Sequence, residues 1–85
     1  MRARLAETLL IFPPEVVMRA VVLYPGEDGY WIAECPSLPG CITQGITKSE
    51  ALVNVREAID GWLETAQAHG QSIPEEHFEV QVVCV

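Results

Sequence analysis

Between residues 51 and 66 apolar side chains return every three or four positions, as Ala51, Leu52, Val55, Ala58, Ile59, Trp62, Leu63 and Ala66. That period gathers them on one broad stripe of an α-helix. Thr47-Lys48-Ser49-Glu50, just before the stripe, matches a capping box, in which the Thr47 hydroxyl and the Glu50 carboxylate satisfy backbone donors at the helix start. Gly70 after His69 supplies a C-terminal cap, and Pro74 forbids an early restart. Upstream the period falls to two. Arg19 to Tyr24 is rich in strand formers, and Pro25-Gly26-Glu27-Asp28-Gly29 carries the turn chemistry that reverses the chain. Tyr30 to Cys35 then alternates, with Trp31, Ala33 and Cys35 on one face and Tyr30, Ile32 and Glu34 on the other. Pro36 and Pro39 lack an N–H and cannot extend a ladder, so Pro36 to Gly40 is a stiff connection to a short third strand, Cys41 to Gln44, which Gly45 ends. Beyond the helix, Phe78, Val80, Val82 and Cys84 alternate with Glu79, Gln81 and Val83 and predict a final strand.

The order β-β-β-α-β, with a right-handed crossover through the helix, predicts a last strand parallel to the first. The fold class is therefore α+β, a two-layer sandwich of one helix on a four-stranded mixed sheet. No second helix covers the far sheet face, which carries Ile32 or Trp31 depending on register, so dimerisation through that face or a sheet edge is expected. Residues 1–17 read as a separable N-terminal extension to a domain spanning 18–85, because Pro13-Pro14 breaks a mildly helical stretch before Met18. Two readings of the extension stay open. Either Met18 is the true start and the extension is upstream read-in, or Leu5, Leu9 and Phe12 form a short amphipathic helix that docks on the domain or a neighbouring subunit.

A chain of 85 residues, 49% hydrophobic, has material for one core with a thin stability margin, which favours a homo-oligomer, dimer or tetramer. Twelve acidic residues against five Lys plus Arg give a formal charge of -7. This argues against nucleic acid as a direct ligand and suits a basic protein partner, although such charge also serves solubility alone. Three cysteines, Cys35, Cys41 and Cys84, show neither a CxxC pair nor a disulfide framework and point to reducing cytoplasm. Arg2 and Arg4 before Leu9 to Phe12 faintly imitate a signal peptide, but Glu7 and Pro13-Pro14 interrupt the run far short of a membrane span.

The segment Gly29-Tyr30-Trp31-Ile32-Ala33-Glu34-Cys35-Pro36-Ser37-Leu38-Pro39-Gly40-Cys41-Ile42-Thr43-Gln44-Gly45, continued by Thr47 and Glu50-Ala51, resembles the signature of HicB antitoxins and their single-domain relatives. The resemblance spans Met18 to Val85. It implies a fold similar to a truncated ribonuclease H and a partner, the HicA toxin, a small basic protein that cleaves messenger RNA. Many members add a C-terminal segment that binds the operon's promoter. Because this chain stops at Val85, autonomous operator binding is not expected of it.

The action this implies is occlusion of the toxin's RNA-binding face, with no bond made or broken. Glu50, Glu57 and Glu64 recur every seven residues with Asp60 close by, which aligns them along one outward helix edge as a docking stripe. The alternative is an ordinary solvated helix face, with Glu50 already engaged in capping. Tyr30, Glu34 and Thr43, beside the connection that holds Pro36 and Pro39, form a second candidate patch. The competing reading is that Tyr30 and Leu38 pack while Pro36, Pro39 and Gly40 fix a bend. Trp31 and Trp62 read as core or subunit-interface anchors.

Catalysis is not expected. Two-metal nuclease chemistry needs converging carboxylates, and Asp28, Glu34 and the helix acids do not converge. Cys35 and Cys41 lack a nearby base, since His69 and His77 lie at the distal helix end and beyond. Neither these cysteines nor the histidines have zinc-ligand spacing, so no metal or other cofactor is expected. Two functional readings follow: an antitoxin that neutralises a HicA-like toxin, or a stand-alone oligomeric module that binds something else or mainly itself.

Overall fold

The computed structural model describes residues 18–85. Both readings of residues 1–17 fall outside the described residues. The chain runs through β1 (Val22–Pro25), a 3-10 turn (Glu27–Gly29), β2 (Trp31–Glu34), β3 (Ile42–Gly45) and α1 (Lys48–Ala68). The strands form an antiparallel sheet in the order β1-β2-β3. At the β1–β2 reversal Asp28 takes a left-handed conformation (φ 60°), which Asp tolerates because its short side chain adds little crowding there.

Both ends of α1 follow the sequence. Thr47 Oγ1 accepts from the Glu50 backbone N–H at 3.0 Å, and the Glu50 carboxylate in turn accepts from the backbone N–H of Ile46. At the other end Gly70 (φ +68°) lets its own N–H reach the Gln67 carbonyl and the Gln71 N–H reach that of Ala66 at 2.8 Å. These two bonds are a Schellman closure, and they occupy carbonyls that the last turn would leave unpaired.

The register decides what the helix covers. Ala33 faces Leu23 and Thr43, while Ile32 faces Tyr24 and Gln44. Ala33 is fully buried beneath Ala51 and Val55, with Val21, Leu23, Trp31 and Ile59 around them. A second cluster gathers Cys35, Leu38, Cys41 and Leu63. Trp31 thus packs on the helix side, and Ile32 is the residue on the open sheet face. Small residues at the contact bring helix and sheet close together. A Cβ on Gly45 would lie 2.8 Å from the Glu50 carbonyl carbon and 2.9 Å from the Ala51 Cα, so only glycine fits under the first turn of α1.

Among the described residues the expected fourth strand is not paired with the sheet. Residues 71–85 carry no helix or strand, and among the described residues the sheet is three-stranded and antiparallel rather than four-stranded and mixed. Alternation makes a segment fit for a strand, but the ladder bonds must come from a neighbouring edge. Phe78, in a left-handed conformation (φ 55°), turns the chain, and Phe78, Val80, Val82, Val83 and Val85 are left exposed. No described helix is long and apolar enough to cross a membrane.

Candidate partner-binding surface

The connection between β2 and β3 is built as a closed bend. The register that pairs Glu34 with Ile42 continues to Cys35 and Cys41, where the Cys35 N–H donates to the Cys41 carbonyl at 2.9 Å. Inside it the Leu38 N–H donates to the Cys35 carbonyl at 3.1 Å, and the Cys41 N–H donates to the Leu38 carbonyl at 3.0 Å. Leu38 points inward and is 1% exposed, whereas Pro36, Pro39 and Gly40 stay outside. The Trp62 indole N–H donates to the Pro39 carbonyl at 3.0 Å and ties the bend to the middle of α1. Trp62 therefore acts as an anchor within the molecule.

A polar clamp holds the other side of the bend. Ser37 Oγ donates to Glu76 Oε1 at 2.7 Å and accepts from Arg19 Nη1 at 3.1 Å, while the backbone N–H groups of Ala20 and Phe78 also donate to the Glu76 carboxylate. Burial alone would raise the Glu76 pKa. The Ser37 hydroxyl, the two backbone donors and the Arg19 charge outweigh it and hold the carboxyl below its usual range. The sequence offered no signal for this clamp, because its three side chains come from the approach to β1, the bend and the tail.

The candidate residues divide into three groups. Tyr30 and Glu34 alternate with the inward-facing Trp31 and Ala33 and lie on the open sheet face, where the Tyr24 hydroxyl donates to Glu34 at 3.4 Å. Thr43 lies opposite Ala33 and so faces the helix side, away from Tyr30 and Glu34. Those three do not share a surface. Pro36 and Pro39 are exposed on the bend. Glu57, Asp60 and Glu64 are all exposed along one side of α1. Glu50 is engaged with the Ile46 N–H at the helix start.

An open cleft of about 670 Å³ runs between the bend and the helix, lined among others by Pro39, Ile42, Ala58, Gly61, Trp62 and Thr65. None of Glu57, Asp60 and Glu64 lines this cleft; Asp60 and Glu64 border a separate shallow hollow with Leu63 and Gln67. Two of the three cations in residues 18–85 are held by the molecule itself. Arg19 is in the clamp, and the Lys48 ammonium sits 4.8 Å from the centre of the Trp31 ring. The third, Arg56, is exposed on α1 one turn before Asp60, so the outward face carries three carboxylates with one guanidinium beside them.

Among the described residues no group of three or more His, Cys, Asp or Glu side chains stands together as a metal site. Cys35 and Cys41 are buried, whereas His69 and His77 are exposed at the helix end and in the tail. Burial and the neighbouring Cys35 push the Cys41 thiol above its usual pKa, which keeps it protonated and poorly nucleophilic.

Residues 20–83 match the family model for the HicB-like antitoxin of bacterial toxin-antitoxin systems. The chain is similar to a UPF0150 protein of Thermoplasma acidophilum, 46% identical over 59 residues that cover 69% of this chain and 86% of that one. A UPF0150 protein of Synechocystis is 43% identical over 60 residues, covering 71% of this chain and 82% of the relative. Another from Synechocystis is 34% identical over 77 residues, covering 91% and 98%. No solved structure matches.

Proposed function

Because the chain belongs to the HicB-like antitoxin family, we propose that it neutralises a small basic RNA-cleaving toxin of the HicA type by lying over the toxin's RNA-binding surface. Family membership gives the antitoxin role and a toxin partner in general terms. The HicA identity and the mode of occlusion are the proposal. The observation that carries it is the row of exposed carboxylates Glu57, Asp60 and Glu64 on α1, in a chain of net charge -7. RNA and this face would compete for the same Lys and Arg groups, and opposite fields would speed the encounter. The exposed Pro36 and Pro39 on the bend that borders the cleft would supply rigid apolar contact, with Tyr30 and Glu34 on the open sheet face as a separate patch. Thr43, on the helix side, is the weakest of the candidates.

The proposal also holds that the tail completes the sheet as a fourth strand on the open edge of β1, as in a truncated ribonuclease H. The functional test is charge reversal of Glu57, Asp60 and Glu64 to Lys, with toxin binding read by calorimetry and RNA protection by a cleavage assay. Exposed pairs are each worth about 0.2–1 kcal/mol, and reversal adds repulsion to lost attraction, so affinity is expected to fall about 10- to 100-fold. Unchanged affinity removes the stripe from the interface. Binding of no basic toxin at all would favour a stand-alone oligomeric module.

A further inference from the structure

We propose that residues 79–85 are an exchanged strand, lying along β1 of a second copy of this chain while that copy's tail lies along β1 of the first. This rests on the tail being a strand, and it names whose sheet the strand completes. The tail begins beside β1, because Glu76 accepts from the Ala20 N–H at 3.2 Å and from Ser37 Oγ at 2.7 Å. Two residues later the chain turns at Phe78, whose φ of 55° is a conformation that a bulky aromatic residue adopts only under strain. Beyond this hinge Val80, Val82, Val83 and Val85 are exposed, Val82 at 95%.

The acceptor is also visible. β1 has β2 on one side only, so its other row of N–H and C=O groups is an open edge among the described residues. The opposite edge is partly occupied, since Asn54 Nδ2 donates to the Gln44 carbonyl at 2.8 Å. An apolar strand without a ladder and an edge without a strand are complementary, and each copy carries one of each. Mutual exchange therefore closes as a two-fold dimer in which neither the tail nor the β1 edge is left unpaired. Charge does not oppose it, because β1 reads Val-Leu-Tyr-Pro and the tail beyond the hinge carries Glu79 as its one ionised side chain. The -7 charge of each copy lies mainly elsewhere, on the helix, the β1–β2 turn and the start of the tail.

The test uses the exposed native Cys84 in the full chain, with Val22→Cys or Tyr24→Cys added on β1, mild oxidation, and non-reducing gels beside light-scattering mass measurement. Cys35 and Cys41 are buried and stay out of the reaction. Exchange is expected to give a band of twice the monomer mass that needs both the added cysteine and Cys84, and the unmodified chain is expected to measure as a dimer. A Cys84-dependent bond within one chain overturns the exchange while leaving the fourth strand in place. Absence of any Cys84-dependent bond at either position sinks both the exchange and the strand.

Discussion

Replacing Gly45 with Ala tests how closely α1 lies on the sheet. The added methyl would stand 2.8 Å from the Glu50 carbonyl carbon and 2.9 Å from the Ala51 Cα, and both are backbone atoms that cannot swing aside. Relief requires the first turn of the helix to lift from β3, loosening Ala51 and Val55 over Ala33. Overpacking of this kind costs about 1–3 kcal/mol, against which the reduced freedom of the unfolded chain returns about 0.4–1 kcal/mol. The net loss is about 1–2 kcal/mol, and a domain of this size has roughly 4–13 kcal/mol in total. The melting temperature is expected to fall by about 4–15 °C. Gly61→Ala is the matched control. Nothing lies within 4 Å of the position its methyl would take, and it sits inside α1, so the same substitution is expected to raise stability by about 0.5–1 kcal/mol. Circular dichroism melts of the two variants beside the parent give the comparison. A Gly45→Ala chain that melts at or above the parent temperature refutes the close packing.

Three further outcomes follow from local geometry. Leu38→Ala empties the inside of the bend, where the side chain is 1% exposed, and is expected to cost about 2–5 kcal/mol in a urea titration. Thr47→Ala removes the oxygen that receives the Glu50 N–H and is expected to cost about 1 kcal/mol in the same assay, with helix content retained. Glu76 has a pKa below the ordinary carboxylate range in the folded chain, so its clamp stabilises above that range and the contribution is lost as pH falls through the folded value. Glu76→Gln is expected to flatten the decline in stability between about pH 5 and pH 3, and an unaltered decline would show that the clamp contributes nothing.

Much of this molecule could be read from local chemistry. Thr47, Glu50 and Gly70 mark helix ends through bonds that span only a few residues, so their roles follow from the sequence around them. The alternation of Trp31, Ala33 and Cys35 against Ile32 and Glu34 likewise survives intact, because a strand's faces are set by its own period. What escaped depends on pairing. Thr43 faces the helix because the bend from Pro36 to Gly40 sets Cys35 opposite Cys41 and hence Ala33 opposite Thr43, a count no single strand contains. The tail illustrates the same limit, since Val80 and Val82 show fitness for a ladder without showing which edge receives it. The Arg19, Ser37 and Glu76 clamp joins residues that only the folded chain brings together.

The carboxylates at Glu57, Asp60 and Glu64 lie in water, and their reach therefore depends on the salt around them. At about 0.01 M ionic strength their field extends roughly 30 Å from the helix, and at about 0.15 M it is damped within roughly 8 Å. Dilute buffer lets the molecule draw in a cation from beyond its own radius. At the higher ionic strength the same residues act mainly on what is already close, so that any speeding of an encounter fades as salt is added.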